Sequence, residues 1–380
     1  MNDREAVVRV IREQAVEEGF QLFGIAPAIQ LPGYPSLVDW IESGYAGGME
    51  YFANRQAAYQ HPAGVLEGAK SVIVMTLPYA AANHAEVPSG SGRVARYVWT
   101  GDDYHDTIHP KLKRICRLLK ETLPGSNARG VVDTAPLLER EIASLAGLGW
   151  TGKNTLLLNK QHGSYFFLAC VLTDQELPHG EPHATSHCGS CTACLDACPT
   201  EAFPQPGVLD ATRCISYLTI EHREAIPVEL RPGIGDWMFG CDVCQEVCPW
   251  NRKPARVAQR PSSALDSIEL TSLFQISDDE FRARFRKTPL WRTRRRGVLR
   301  NAAIVLGNQR CESSVPALVD GLRDKESIVR GASAWALGRI GNDAAIAALR
   351  DRREFELESE PEVRTEIDWA LEPHEPPKYP

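Results

Sequence analysis

CGSCTACLDACP at residues 188–199 and CDVCQEVCP at residues 241–249 are the two stretches from which the rest of the chain can be read. The first is C-x2-C-x2-C-x3-C-P, on Cys188, Cys191, Cys194 and Cys198. The second keeps the later spacings and the closing proline at Cys241, Cys244 and Cys248, with its leading cysteine displaced to Cys214. Thiolates at i, i+3 and i+6 on a tightly turned loop converge on one face of a cubane 4Fe–4S cluster. The fourth, beyond a helical turn, points to a second cluster. One cluster therefore falls to Cys188, Cys191, Cys194 and Cys248. The other takes Cys241, Cys244, Cys198 and, by elimination, Cys214.

Two plainer explanations of the cysteines are weaker. Zinc sites use four ligands in two pairs, and eight interleaved cysteines suit two clusters better. A disulfide framework belongs to small domains in oxidising compartments. The spacing predicts a bacterial two-cluster ferredoxin-like domain over residues 178–260. Eight of the eleven cysteines lie in this block, and Cys116, Cys170 and Cys311 read as small buried hydrophobes.

With 380 residues the chain is long enough for two or three domains. No apolar run reaches membrane-spanning length, and the charged start MNDREAVVRVIREQ reads as no export signal, so a cytoplasmic protein is expected. A net charge of −7 argues against nonspecific nucleic-acid binding by the whole protein, though not against a local basic face.

Before the cysteines, helical and apolar segments alternate. Residues 3–18 read as a helix with Val7, Val10, Ile11 and Ala15 on one stripe. Apolar runs follow at Phe23–Ile25, Val72–Met75, Val131–Val132 and Phe166–Leu172, separated by helical patterns around Leu112–Leu123 and Leu137–Leu148. This predicts an α/β domain over residues 1–177 with a sheet covered on both faces. The segment PHGEPHATSH at 178–187 is a linker, and His183 and His187 read as surface histidines.

After the cysteines the composition changes. Residues 281–300 carry nine Lys/Arg and no acid, with Phe281, Phe285 and Trp291 interleaved, which favours contact with a phosphate backbone over a merely solvated face. The segments beginning at 299, 329 and 363 then align Arg300, Arg330 and Arg364, 30 and 34 residues apart, each near the start of a helix-like pattern. Such self-similarity predicts HEAT-like helical repeats over 261–380. The proline-rich tail EPHEPPKYP is expected to be poorly ordered.

No G-x-G-x-x-G follows a strand and no P-loop is present, so nucleotide binding is not signalled. The informative stretch is DTAPLLEREIASLAGLGWTGKN at 133–154. Asp133 follows an apolar strand, Pro136 suits the first turn of a helix, and Gly147, Gly149 and Gly152 suggest a flexible loop before Lys153 and Asn154. A carboxylate at the end of a strand, beside a helix start, is a usual ligand position in an open α/β sheet. It is equally a helix N-cap, and the residues alone leave both readings open.

Several motifs together resemble the epoxyqueuosine reductase family. They are the cluster block, D-x-x-P-x-x-E-R at Asp133–Arg140, and G-L-G-x-x-G-K-N at Gly147–Asn154. Gly48-Met49-Glu50-Tyr51 with Arg55, Ala69-Lys70-Ser71-Val72, Arg96-Tyr97 with Tyr104-His105, and the segment Cys214 to Glu221 belong to the same set. The likeness runs from the first helix to about residue 300, and the HEAT-like tail is found in longer members. The resemblance implies a nitroreductase-like cobalamin domain, two 4Fe–4S clusters, and the last step of queuosine synthesis on tRNA. It implies cofactor contacts at Arg55, Asp133, Lys153, Asn154, Ser164, Ser216 and Thr219. The common cobalamin motif D-x-H-x-x-G is nearly met at Asp103-Tyr104-His105, but Ile108 replaces the glycine. The resemblance implies no histidine below cobalt, so His105 reads as structural or substrate-facing.

The implied mechanism opens the epoxide by attack of cob(I)alamin, with electrons delivered singly through the clusters. The departing oxygen needs a proton, and Asp133 is the expected catalytic acid, its pKa raised by desolvation. Arg292, Arg294, Arg295, Arg296 and Arg300 are expected to hold the tRNA backbone, with Arg223 guiding the modified base. A flavodoxin- or ferredoxin-like electron donor and a monomeric state complete the expectation. Two other readings remain: an iron–sulfur electron carrier with no substrate of its own, or a cobalamin-dependent reductive dehalogenase of a small molecule.

Overall fold

The computed structural model describes residues 3–79, 86–252, 266–354 and 358–372. The tail expected to be poorly ordered lies almost wholly outside these residues. By internal contacts the chain divides into two units. The first comprises the described residues within 1–83, 102–212 and 242–262; the second comprises those within 84–101, 213–241 and 263–380. The reason lies in pairing. The short strands Ser91–Val94, Trp237–Phe239 and Ser267–Glu269 form one sheet, so segments far apart in sequence close a single unit.

The first unit is built on a four-stranded sheet in the order Leu22–Pro27, Ser71–Pro78, Phe166–Thr173, Ala128–Val131. Every neighbouring pair is antiparallel, which corrects the open α/β expectation to antiparallel strands flanked by helices. Both faces are buried, as expected. Val72, Val74, Cys170 and Leu172 lie in one apolar cluster, and the alternate residues Ile73, Met75, Ala169 and Val171 lie in another. This is the two-residue period of a strand expressed as two cores. Helix Asp3–Glu17 gives Val7, Ile11 and Ala15 to the second core, and helix Tyr104–Thr122 gives Ile108, Leu112, Ile115 and Leu119.

In the second unit, helices Arg294–Gln309, Ser327–Ile340 and Pro361–Leu371 pack in succession. Their close approach depends on absent side chains: a Cβ on Gly307 would meet Trp335 at 2.7 Å and Ala336 at 2.8 Å. Two of the three aligned arginines, with Arg352, brace this stack around Glu358. Arg330 grips Glu358 through Nε and Nη2 at 2.7 and 2.9 Å, Arg352 adds a bond of 3.0 Å, and Arg364 donates to the Glu358 carbonyl at 2.6 Å.

Arg300 is the first of the series and is 1 % exposed. It donates to the carbonyls of Leu218, His222 and Glu224 and to the side chain of Asn301. The expected tRNA contact at Arg300 is therefore corrected, because its donors are enclosed and already occupied.

Candidate functional site

The two cysteine motifs fold alike. In each, a four-residue helix, Ala193–Asp196 or Val243–Glu246, separates the cysteines, and the two helices pack together. The preceding residues Thr192 and Asp242 have φ/ψ of −121°/5° and −113°/6°, and the following Ala197 and Val247 have −81°/−10° and −80°/−11°. Repeated backbone geometry is what the repeated spacing demands of two equivalent cluster loops.

The four thiols assigned to the first cluster lie within electrostatic reach of one another. Burial raises the pKa of Cys194, and the neighbouring Cys248, Cys188 and Cys191 raise it further. Cys248 is raised by burial and by Cys188 and Cys191. Cys188 and Cys191 close enough to oppose the ionisation of Cys194 and Cys248 make a state that a positively charged iron core would relieve. Cys198, assigned to the other cluster, accepts from the Ala202 amide at 3.3 Å.

Lys153, Asn154 and Ser164 serve these loops. Lys153 Nζ donates to the carbonyls of Gly189 and Cys191 at 2.8 and 2.9 Å, and Asn154 reaches the Cys244 carbonyl at 3.4 Å. Ser164 is buried against Gln245 and Asn251, with Gln245 Nε2 and Asn251 Nδ2 each donating to its hydroxyl at 3.0 Å. Engaged in this way, the three brace the cluster loops. The glycines before them form no flexible loop. Trp150–Thr151 pairs with Leu157–Leu158 in a tight hairpin, and a Cβ on Gly149 would lie 2.0 Å from the Leu158 carbonyl oxygen. His183 and His187 are not simply surface residues either. They pack with Trp150 and Trp250 in an aromatic group, ring centroids 4.8–6.0 Å apart.

Within the same unit a cavity of about 810 Å³ opens beside Asp133. Trp40, Phe52 and Tyr59 line one wall, the turn 133–141 another, and residues 204–209 a third. The Trp40 indole donates to the Leu209 carbonyl at 2.6 Å, and the Ala211 amide to the Tyr45 carbonyl at 2.9 Å, joining two of these walls. Arg140 fastens the turn to the hairpin through the Thr155 carbonyl at 2.6 Å.

Asp133 lies two residues beyond strand Ala128–Val131, at φ +34°. Helix Glu139–Leu145 starts later than expected, with Leu138 as its N-cap. Asp133 therefore caps no helix, and Pro136 lies outside the first helical turn. A left-handed φ costs a non-glycine residue about 1 kcal/mol or more and persists only where its surroundings fix it. Here the Tyr104 hydroxyl donates to Asp133 Oδ2, and His105 Nε2 lies 2.8 Å from Oδ1. Arg55 donates to the adjacent Thr134 carbonyl at 3.1 Å.

On its other side, His105 Nδ1 lies 2.7 Å from Oδ1 of Asp103, the N-cap of helix Tyr104–Thr122. The bonds to Asp103 and then Asp133 push the imidazole up to about 10, so it is a cation at neutral pH. Both its nitrogens then donate. Asp133 is 46 % exposed and accepts at both oxygens. The expected desolvation at Asp133 is not what the chain provides: burial falls instead on Glu139, six residues on, a residue the sequence reading left without a role. Burial and then the charge of Asp133 push Glu139 up to about 8.

In the second unit, Thr219 is fully buried. It donates to the Ile215 carbonyl at 2.7 Å and accepts from the Gly240 amide at 2.9 Å, so its expected cofactor contact is corrected to a structural role. Ser216 lies half-buried in helix Ile215–Ile220. The basic run divides similarly. Arg295 is mostly buried and donates to Asp324 at 2.7 Å. Arg292 makes a two-pronged pair with Glu221 at 2.9 Å, and Arg223 donates to the Arg292 carbonyl at 2.8 Å. Arg296 donates to the Arg223 carbonyl at 2.9 Å. Arg294 is exposed at φ +63°, its guanidinium 4.1 Å from the Trp291 ring centroid.

These features define a protein with two ferredoxin-type cysteine loops, a cavity beside a carboxylate–histidine–carboxylate chain, and helical repeats. Family models agree: a 4Fe-4S double cluster binding domain matches residues 187–251, HEAT repeats match 290–372, and the epoxyqueuosine reductase domain DUF1730 matches 60–134. The epoxyqueuosine reductase of Pseudomonas aeruginosa is 41 % identical over 350 residues, covering 89 % of this chain and 96 % of the relative. The chain belongs to the epoxyqueuosine reductase family. A crystal structure of epoxyqueuosine reductase with an epoxyqueuosine-modified tRNA-Tyr stem loop is 30 % identical, with a TM-score of 0.88 over 97 % of this chain and 98 % of that one. A Bacillus subtilis epoxyqueuosine reductase structure, described as having its catalytic loop swung out of the active site, is 29 % identical, with a TM-score of 0.86 over the same shares.

Proposed function

We propose that this protein reduces the epoxide of epoxyqueuosine in tRNA to the alkene of queuosine, with cobalamin and two 4Fe–4S clusters as cofactors. The observation that carries the reading is the chain Asp103–His105–Asp133–Tyr104 at the cavity, in a member of this family. Replacing an epoxide by an alkene and water takes up two electrons and two protons. The clusters supply electrons one at a time, received from a flavodoxin- or ferredoxin-like donor. Bound cobalamin would supply a strongly nucleophilic reduced cobalt, and Asp133 at the cavity, with Arg55 fastened to the adjacent Thr134 carbonyl, would be among the side chains that hold it.

The chain's own work is with protons. Asp133 receives a proton from the His105 imidazolium and presents it to the departing oxygen, a poor leaving group unless protonated. Asp103 keeps the imidazole oriented and charged, and Tyr104 fixes the second carboxylate oxygen. The strained φ and the swung-out catalytic loop of the B. subtilis enzyme support a turn that moves during turnover. The antiparallel sheet with helices on both faces supports a nitroreductase-like description of this unit. The protein is proposed to act as a cytoplasmic monomer. Among the described residues no helix is long and apolar enough to cross a membrane.

The test is anaerobic conversion of tRNA carrying epoxyqueuosine by reconstituted, chemically reduced protein, read by nucleoside analysis. Queuosine should form, and Asp133→Asn should abolish most of it. Protein with both clusters and cobalamin bound that yields no queuosine would sink the reading.

A further inference from the structure

Glu139 is half-buried at the start of helix Glu139–Leu145, on the wall of the cavity. Its carboxyl receives the backbone amide of Asp133, while Oε1 is sealed from solvent without a hydrogen-bond partner. An anion with a sealed, unpartnered oxygen beside another carboxylate is costly; a neutral carboxylic acid in the same place is not. The ionisable groups facing it are Asp133, Arg140 and His105, with Tyr59 from the turn Gln56–Gln60 and Cys170 from strand Phe166–Thr173. Burial raises Tyr59 and Cys170 above their ordinary values, so both stay neutral near physiological pH. That leaves Glu139 as the group here whose charge changes just above neutrality, since His105 holds its proton to about 10.

We propose that Glu139 is a positioning residue for Asp133: neutral, it holds the Asp133 amide and keeps that side chain against Tyr104 and His105; ionised, it repels it from the cavity. The turn is suited to this. Asp133 sits in a strained conformation maintained by a few hydrogen bonds, so a new like charge behind it changes the balance. The effect is on the placement of the proton donor and should therefore appear in kcat rather than in KM. This inference rests on the proposed role of Asp133 in epoxide reduction.

The experiment has two arms on the full chain. In the first, single-turnover rates of pre-reduced, reconstituted enzyme on epoxyqueuosine tRNA are followed between about pH 6 and about pH 10. The wild-type rate should fall about tenfold per pH unit above about 8. Glu139→Gln, neutral at every pH, should remove that fall and leave a later one near 10 from His105. A purely structural glutamate would give the same profile in both proteins, and that result overturns the proposal.

In the second arm, infrared titration of ¹³C-glutamate-labelled protein is run without substrate, in a Glu141→Gln background to remove the other raised cavity glutamate. A protonated-carboxyl band should disappear with a midpoint near 8, and should be absent in the added Glu139→Gln variant. No such band at neutral pH overturns the proposal, and the wild-type titration decides this even where the double variant does not fold. Absence of queuosine at every pH would sink the functional reading alone, because the infrared arm needs no turnover.

Discussion

His105 Nε2 lies 2.8 Å from Asp133 Oδ1, while its Nδ1 lies 2.7 Å from Asp103 Oδ1. A histidine held between two carboxylates stays protonated well above neutrality, here beside a cavity open to solvent.

Asp133→Asn keeps the shape of the side chain and removes its capacity to carry a proton. Turnover should fall by about 10²–10⁴, with the iron–sulfur absorbance unchanged. Near-normal turnover in this variant would return Asp133 to a structural role.

His105 also links stability to pH. Its folded pKa is raised from 6.5 to about 10, so its stabilising contribution is fully present below 6.5 and is lost as pH rises through 10. His105→Gln should lower Tm most at neutral and acid pH, and the gap to wild type should close as pH approaches 10. A gap that widens on the alkaline side would contradict the ion-paired state.

Anaerobic protein should contain about eight irons per chain with both sites filled. Cys248→Ala should remove the cluster held by Cys188, Cys191 and Cys194, although it belongs to the other sequence motif. Electron paramagnetic resonance of the reduced variant should then show one cluster. Two retained clusters would break the interleaved assignment.

Glu358 is 2 % exposed among arginines. Burial pushes its carboxyl up, but the bonds from Arg330, the Glu360 amide and Arg352 outweigh burial and hold it at about 2. Glu358→Gln leaves buried guanidinium charge unpaired and should cost about 3–5 kcal/mol, measured by denaturant unfolding of the repeats. The carboxylate's contribution is present above its unfolded value of 4.5 and disappears as pH falls through 2.

For tRNA, the double reversal Arg294→Glu with Arg296→Glu should weaken binding and flatten its salt dependence by about one unit of slope per lost phosphate contact. Arg295 and Arg300 are left intact because they hold the fold. Unchanged affinity would assign these two arginines to solvated surface.

Sequence by itself determined what depends on spacing along the chain. The cysteine intervals specified two equivalent cluster loops because a turn and one helical turn are local structures. The apolar alternation at Val72–Met75 specified a sheet buried on both faces, and the recurrence of Arg300, Arg330 and Arg364 specified stacked helices. Tertiary structure decided which charged groups remain available, because an ion pair or an enclosure forms between residues distant in sequence. Arg300 and Arg294 are alike as letters, yet one is buried under carbonyls from residues 218–224 and the other is exposed over Trp291. Lys153 is set by folding against the Gly189 and Cys191 carbonyls, residues far along the chain from it. The burial expected at Asp133 falls on Glu139 for the same reason. Desolvation is set by what packs around a side chain, and the packing around Glu139 comes from the Asp133 turn and from strand Phe166–Thr173, which no local pattern places there.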